Sequence, residues 1–237
     1  MQVYTELMKF KLIEKRNEVP NVTSFIFQPE APVQWQAGQY IHYMLPHESV
    51  DDRGAERWFT VASAPYETTP MITTRHASEH GSSFKEKLFS LEAGDNVEAG
   101  MPEGDFVLEA TDRAYVFIAG GIGITPFHSI LKQADHDGTK LNVTLLYGNR
   151  DKQAPYKAEL EAFAERNPNL KIQYILSPQV IDEAVVRQYV PDLSAPLFYL
   201  SGPEPMVKGL AQTLESMGVA PERIKLDDFP GYEAHQG

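Results

Sequence analysis

The feature that most constrains the fold is a change in hydrophobic patterning near Ala110. Before it, apolar residues come in short runs broken by glycine, proline and polar clusters, a pattern typical of antiparallel β-structure such as a small barrel. The runs are Val22–Phe27, Tyr40–Leu45, Trp58–Ala62, Met71–Thr74 and Phe106–Leu108. One helix is predicted here, at Ser83–Leu91, because Phe84, Leu88 and Leu91 share a face.

After Ala110, buried-looking strands alternate with helical stretches, which predicts a doubly wound parallel α/β sheet. The strands are predicted at Tyr115–Ala119, Val143–Tyr147, Ile172–Leu176 and Leu197–Leu200. The helices are predicted from Phe127 through Ala134, with Thr125 as cap and Pro126 at the first position, then at Tyr156–Arg166 and Pro205–Met217, where Gly218 ends the last helix.

With 237 residues, the chain has the length of two compact domains, which we place at residues 1–110 and 111–237. Parallel α/β sheets bind ligands beyond the carboxyl ends of their strands. We therefore expect the binding residues of the second domain in the loops after Ala119, Tyr147, Leu176 and Leu200.

Charge and cysteine content narrow the function. A net charge of −12 disfavours nucleic acid and anionic lipid as partners. Because the chain has no cysteine, thiolate zinc sites and cysteine-ligated iron–sulfur clusters are excluded, so we expect any redox chemistry to come from an organic cofactor. The absence of a signal-peptide core and of a stretch of roughly 18 apolar residues predicts a cytoplasmic protein with no membrane span.

A glycine turn follows the first strand of the second half. The segment from Val116 to Pro126 reads VFIAGGIGITP, where glycines let the backbone approach a pyrophosphate and helix-start amides meet its charge. The segment does not complete G-x-G-x-x-G, so a tight turn without a ligand remains an alternative.

Two further segments carry candidate binding residues. In the segment Arg57–Ser63, strand alternation puts Arg57 and Phe59 on one face, which can pair a phosphate and stack a ring. In the segment Leu197–Met206, a strand ends on a small hydroxyl residue before a glycine turn. An ordinary exposed arginine and a simple strand-to-helix connection are the alternatives.

Metal and hydrolase chemistry find little support. His76, Glu79 and His80 match H-x-x-E-H formally, but Gly81 follows at once and a polar loop is predicted in place of the required helix, so we expect no metal. No serine lies in a nucleophile-elbow pattern.

Taken in order, these motifs resemble those of the ferredoxin-NADP reductase superfamily of flavin oxidoreductases over essentially the whole chain. That family carries Arg-x-Tyr-Ser/Thr, a glycine and serine phosphate loop, Gly-Gly-x-Gly-x-Thr-Pro and Cys-Gly-Pro-x-x-Met. The counterparts here are Arg57–Thr60, Gly81–Ser83, Gly120–Pro126 and Ser201–Met206. The resemblance implies a flavin-binding antiparallel β-barrel followed by a pyridine-nucleotide α/β domain.

The resemblance also implies FAD-binding roles in the first half. Arg57 would hold the pyrophosphate, Phe59 would pack on the ring or ribityl region, and Thr60 would bond near the reactive ring nitrogen. Trp58 lies within the same motif. The remaining matches are Thr73, Thr74 and Arg75 beside the second half of the cofactor, and Gly81, Ser82 and Ser83 at phosphate. Arg75 and this loop favour FAD over FMN.

In the second half, the resemblance implies a site for NADH or NADPH. The matches are Gly121, Gly123, Thr125 and Pro126 at the pyrophosphate, Arg150 and Ser177 at the adenosine half, and Ser201, Gly202, Pro203 and Met206 at the nicotinamide. NADP-preferring relatives place an arginine after the serine, whereas Pro178 follows here, which favours NADH; Arg150 or Arg187 is the alternative contact for a 2′-phosphate.

The chain departs from the family pattern at two positions: Phe59 replaces the tyrosine and Ser201 replaces the cysteine. The carboxy-terminal segment Lys225–Tyr232 resembles the one that covers the flavin in relatives. Phe229 is the predicted screening aromatic, with Tyr232 second and a merely packed tail as the alternative.

The implied activity is hydride transfer from the nicotinamide to bound FAD, with Thr60, Ser201 and Phe229 as catalytic residues. Electrons would then pass to a separate acceptor: ferredoxin, flavodoxin or an oxygenase component. A free-flavin reductase is one alternative. A non-catalytic nucleotide-binding sensor or partner module is another, because a fold does not guarantee function.

Overall fold

The structure, a computed structural model, describes the backbone of residues 7–76 and 81–229, and the side chains of these residues except Phe229. The chain divides into two compact units, Met1–Val107 and Leu108–Gly237, hereafter the first and second units. Within the described ranges, no helix combines the length and apolar character needed to span a membrane.

The first unit is an antiparallel β-structure with one helix. Its elements are β1 (Met8–Val19), β2 (Val22–Pro29), β3 (Tyr40–Met44), β4 (Glu56–Thr60), β5 (Met71–Arg75), α1 (Ser83–Ser90) and β6 (Asn96–Ala99). The sheet order is β4-β3-β6-β1-β2-β5, and its two edge strands contact each other, which makes the sheet barrel-like.

Two strands of this sheet do not appear among the predicted runs. In β1, Phe10 and Leu12 are fully buried, but the charged outward-facing residues between and after them hide the two-residue period. In β6, only four residues pair. The predicted strand Phe106–Leu108 was wrong, because these residues join no ladder, although Phe106 itself is buried.

Helix α1 forms as predicted. Phe84 and Leu88 are buried on its inner face, and Leu91 caps the carboxyl end. The Ser82 hydroxyl accepts a hydrogen bond from the Lys85 amide, so the helix has a side-chain cap at its start.

The second unit alternates strands and helices. Its elements are β7 (Ala114–Gly120), α2 (Thr125–His136), β8 (Asn142–Asn149), α3 (Lys157–Arg166), β9 (Leu170–Leu176), α4 (Glu183–Tyr189), β10 (Leu197–Pro203), α5 (Glu204–Ser216) and β11 (Ile224–Phe229). All five strands pair in parallel in the order β11-β10-β7-β8-β9.

Helices cover both faces of this sheet. Val116 and Ile118 of β7 pack in a cluster with residues of α4 and α5, whereas the intervening Phe117 stacks on Phe127 of α2 at 4.5 Å between ring centroids. The antiparallel β unit and the doubly wound parallel α/β unit confirm the predicted fold class. The chain runs outward from β7 in one direction and returns through β10 on its other side, so the ends of β7 and β10 form the topological switch point.

Three local features of this unit differ from the sequence predictions or add to them. Thr125 does not cap α2: it is the first helical residue, and a 3-10 turn over Gly121–Ile124 leads into it. Helix α4 was not predicted. Of the segment Lys225–Tyr232, the described residues lie in edge strand β11 beside β10, and its role in covering the flavin stays a prediction.

Candidate functional site

The start of α1 holds a cluster of hydrogen-bonded charges. The Ser83 amide donates to Asp51 Oδ2 at 2.8 Å, and the Asp51 amide donates back to Ser83 Oγ at 2.9 Å. Arg53 binds the same carboxylate through Nη2 at 2.7 Å and also donates to the Gly81 carbonyl at 2.8 Å. The Ser83 amide and the Arg53 guanidinium lower the pKa of Asp51 to about 2, so Asp51 is an anion at the helix start.

Arg57 lies beside this cluster. Its Nη1 donates to the carbonyls of Arg53 at 2.7 Å and Gly54 at 3.3 Å, and its guanidinium lies 5.4 Å from the centroid of the Phe84 ring. Partial burial lowers the pKa of Arg57. Within the described chain, its Nε and Nη2 make no hydrogen bond. The edge of the guanidinium group that carries these two nitrogens is therefore available to an anion.

The serines at this helix start also remain donors. Ser82 Oγ accepts from the Lys85 amide at 3.2 Å, and Ser83 Oγ accepts from the Asp51 amide. Each hydroxyl therefore keeps its own O–H for a further acceptor. Two hydroxyls and a guanidinium edge in one place are a donor set that fits a phosphate.

Strand β4 aligns the other predicted flavin residues as alternation requires. Phe59 lies on the Arg57 face and contacts Phe84 at 5.9 Å between ring centroids. Thr60 is buried at the strand end. Trp58 points away from them, is 55% exposed and stacks on His42, so the structure sets it apart from the Arg57 cluster.

Strand β5 carries the next predicted set. Thr73 and Thr74 are both buried, and Thr73 Oγ1 lies 2.6 Å from the Ser24 hydroxyl. That contact ties β5 to β2, so Thr73 has a structural partner. Arg75 ends the strand and is partly exposed.

In the second unit, the glycine turn packs against the end of β10. A Cβ at Gly123 would lie 2.2 Å from the Ser201 carbonyl oxygen, so only glycine fits there. Gly121 differs: its φ is +54°, and a Cβ there would meet nothing within 4 Å. The close approach at Gly123 is therefore made to the protein's own strand, and the open side of the turn is at Gly121.

The other predicted residues at this switch point are gathered around the same turn. Gly202 and Met206 lie against Gly120, with Met206 Sδ 2.5 Å from where a Cβ of Gly120 would be. Pro203 ends β10 and Pro126 lies in the first turn of α2. The Thr125 hydroxyl donates to the Ile122 carbonyl at 3.2 Å.

Ser201 is fully buried, and its hydroxyl donates to Asp227 Oδ2 of β11 at 2.9 Å. Burial raises the pKa of Asp227 to about 6, against the stabilising effect of that hydrogen bond on the anion. A carboxyl group that titrates near neutral pH thus lies behind the predicted nicotinamide residue.

The ends of β8 and β9 bring the predicted adenosine residues close together. The Ser177 amide donates to the Asn149 carbonyl at 3.1 Å, and Arg150 follows on the exposed surface. Asn149 Nδ2 is buried and has no hydrogen-bond partner among the described residues. An unsatisfied buried donor at the carboxyl edge fits a ligand that brings an acceptor.

Some predictions fall outside the described residues: Glu79, His80 and Tyr232, and for Phe229 the side chain. The part of the chain that is described contains no group of three or more acidic or histidine residues arranged to hold a metal ion.

Four residues of the site were missed from the sequence: Asp51, Arg53, Asn149 and Asp227. Asn149 had a usable signal, because an amide directly after a parallel strand lies at the ligand-binding edge. Asp51 and Asp227 had none, since their partners Ser83 and Ser201 are 32 and 26 residues away.

Comparison with known proteins agrees with this architecture. Residues 117–212 match the oxidoreductase NAD-binding domain. A component of the Na(+)-translocating NADH-quinone reductase of Marinomonas sp. is 34% identical over 160 residues, which is 61% of this chain and 39% of that component. The chain thus matches about two fifths of the length of that relative.

Two solved structures cover nearly the whole chain. A cytochrome P450 reductase of Amycolatopsis superposes with a TM-score of 0.82 at 25% identity, over 96% of this chain and 72% of the other. The ferredoxin-NADP+ reductase of Plasmodium falciparum superposes with a TM-score of 0.80 at 19% identity, over 96% and 98%, which shows a shared fold. The chain therefore carries an oxidoreductase NAD-binding domain in its second unit and shares the fold of ferredoxin-NADP+ reductase.

Proposed function

We propose that the protein binds FAD, takes a hydride from NADH onto it, and passes the electrons to a separate acceptor protein. The observation that carries this proposal is the donor cluster of Arg57, Ser82 and Ser83 at the start of α1, in a chain whose other half is an oxidoreductase NAD-binding domain. The first half supplies the phosphate donors that a flavin dinucleotide requires.

The residues of the first unit would each have a distinct task. The free edge of Arg57 and the hydroxyls of Ser82 and Ser83 bind phosphate oxygens. Phe59 offers an apolar surface, and Thr60 offers a hydroxyl to the ring edge. FAD, when bound, supplies the two-electron acceptance and the one-electron release that no side chain can provide.

The second unit would bind the nicotinamide dinucleotide. The open turn at Gly121, with the start of α2 at Thr125 and Pro126, approaches the pyrophosphate, and Asn149 Nδ2 donates to the nucleotide. Ser177 and Arg150 contact the adenosine half. Gly123, Gly202, Pro203 and Met206 shape the floor of the site.

We favour NADH over NADPH. Arg187, one alternative contact for a 2′-phosphate, pairs with Glu183 at 2.8 Å in α4. The Marinomonas relative is named as part of an NADH-quinone reductase, which supports the same choice. Arg150 is the other alternative contact for a 2′-phosphate.

Ser201 and Asp227 would act at the nicotinamide end. Ser201 is held by its hydrogen bond to Asp227, which limits the orientation of its hydroxyl. Asp227 can hold or release a proton near neutral pH. The screening roles of Phe229 and Tyr232, and a cytoplasmic location, stay predictions from the sequence.

The acceptor is proposed by class. Because residues 1–237 include no cysteine, they cannot hold a cysteine-ligated cluster, so the acceptor lies outside these residues. Ferredoxin, flavodoxin or an oxygenase component are the protein candidates. Free flavin is the small-molecule alternative.

The test is anaerobic reduction of the purified, FAD-reconstituted protein. NADH should bleach the flavin absorbance, and NADPH should do so more slowly at equal concentration. Bound flavin that neither nucleotide bleaches would support a non-catalytic module instead. Turnover with a panel of acceptor proteins, compared with free FMN and riboflavin, would separate the protein acceptors from the free-flavin alternative.

A further inference from the structure

The phosphate subsite of the first unit contains its own negative charge. Resting on the proposed function, we propose that Asp51 is a specificity residue that makes this subsite select the pyrophosphate of FAD over the phosphomonoester of FMN. The carboxylate is bound to the first amide of α1, the place where a phosphate oxygen would otherwise be received.

Asp51 is held there from several directions. Its Oδ2 accepts from the Ser83 amide at 2.8 Å and from Arg53 Nη2 at 2.7 Å, and its Oδ1 accepts from the Arg53 amide at 3.0 Å. The Asp51 amide itself is bound to Ser83 Oγ. The pKa of about 2 means that the group stays ionised at any pH at which flavins are assayed.

The charge balance of the subsite follows from these contacts. Among the described residues, Asp51 and Arg53 are the charged groups that act electrostatically on the Arg57 guanidinium. Two guanidinium groups and one carboxylate leave one net positive charge. This balance suits a phosphorus centre that bears one negative charge better than one that bears two.

The two flavin cofactors differ in this property. FAD carries a pyrophosphate, with one negative charge on each of its two phosphorus centres. The phosphate of FMN is a monoester whose second pKa lies near 6, so it carries close to two charges above neutral pH. Repulsion from a carboxylate grows with the charge on the phosphate, so Asp51 penalises FMN more than FAD.

Riboflavin, FMN and FAD together form the test, because they share the ring and differ at the phosphate. Dissociation constants are measured by quenching of flavin fluorescence at about pH 8, for wild type, Asp51→Asn, Asp51→Glu and the neighbouring control Asp52→Asn. Asp51→Asn should tighten FMN binding about tenfold more than FAD binding and leave riboflavin unchanged. Asp51→Glu, which keeps the charge, and Asp52→Asn should keep the wild-type FMN-to-FAD ratio.

Other outcomes overturn the inference. If Asp51→Asn weakens the binding of both FMN and FAD, the carboxylate has a structural role. If the substitution tightens the binding of both equally, Asp51 does not discriminate between them. A change in riboflavin affinity would place the effect away from the phosphate. In each of these cases FAD still binds and the proposed function stands, whereas failure of all four proteins to bind FAD would overturn both.

Discussion

The two units build their proposed phosphate sites in different ways. At the start of α1, the protein uses side-chain charges, with Asp51 and Arg53 bound to each other and Arg57 held beside them. At the turn before α2, it uses backbone, with no charged side chain between Gly120 and Pro126. The sequence motifs of both places suggest a phosphate loop, but only the first surrounds the anion position with ionic groups.

The difference extends to what the glycines do. Gly123 is required by the protein's own β10, since a side chain there would collide with the Ser201 carbonyl. Gly121 is the residue that leaves space. A glycine-rich motif therefore combines packing residues with ligand-approach residues, and only the three-dimensional structure separates the two.

The largest effect is expected from Gly123→Ala. Its Cβ would lie 2.2 Å from a backbone oxygen that cannot swing away, so we expect a loss of about 3 kcal/mol in the free energy of unfolding. Gly121→Ala, at φ +54° with open space around it, should cost only about 1 kcal/mol. Urea unfolding monitored by circular dichroism measures both, and equal losses would contradict the division between packing and approach.

Arg57→Met tests the charged subsite. Loss of a charge-assisted contact of about 1.5–3 kcal/mol should weaken FAD binding by about one to two orders of magnitude, while NADH affinity of the second unit stays the same. Arg16→Met removes an equal charge from β1, where the arginine pairs with Glu14 at 3.1 Å, and serves as the control. Titration of FAD by fluorescence quenching gives the comparison. Similar losses in the two variants would mean that overall charge, and not the Arg57 fork, governs binding.

Asp227 should make the stability of the second unit depend on pH. Its pKa is about 6 in the folded protein, above the usual 3.8, so the folded state holds an extra proton between these values. Stability must then fall as pH rises through this window and remain lower above it. After allowance for partial exposure of the side chain, the fall is about 1–2 kcal/mol.

Asp227→Asn should remove that fall, because an amide does not titrate and can still accept from Ser201. Chemical denaturation at about pH 4.5 and pH 7.5 measures the difference for each protein. Asp228→Asn, at the next and exposed position of β11, is the matched control and should keep the wild-type slope. An unchanged slope in Asp227→Asn would mean that its carboxyl group is solvated.

The local sequence pattern was sufficient to predict a helix or strand where apolar residues dominated one of its faces. Phe84 and Leu88 revealed α1, and the buried runs of β7 and β10 revealed the parallel sheet. Strand β1 was hidden by its charged outer face, and β11, with Lys225, Asp227 and Asp228 in six residues, looked like a polar tail. Its pairing partner is β10, so the strand follows from tertiary context.

The site residues also divide into those that a local motif predicted and those that only the fold reveals. Arg57 and the serines at α1 were predicted because each lies in a short motif, Arg57–Thr60 or Gly81–Ser83, that resembles a family pattern. Asp51 and Asp227 were not, since each acquires its role from a residue that the fold brings near. Thr125 was predicted as a cap on composition alone, whereas the preceding 3-10 turn already supplies a helical entry.

The smallest expected effect is the difference in stability lost when a hydroxyl is removed at the start of α1 or at the start of α2. Ser82→Ala removes the hydroxyl that accepts the Lys85 amide, so we expect a loss of about 1 kcal/mol in the stability of the first unit. Thr125→Val removes a hydroxyl at the start of α2 while keeping the shape of the side chain. Because Thr125 only donates back to the Ile122 carbonyl, this change should cost less than about 0.5 kcal/mol.

Thermal unfolding of both variants, with Ser90→Ala at the exposed end of α1 as a control, measures these differences. Ser90 Oγ donates to the Lys87 carbonyl at the end of the helix and leaves the amides at its start untouched, so its removal should be nearly neutral. Equal losses from Ser82→Ala and Thr125→Val would mean that both starts depend on a hydroxyl. The contrast between a side-chain-built and a backbone-built helix start would then hold only for the charges around α1.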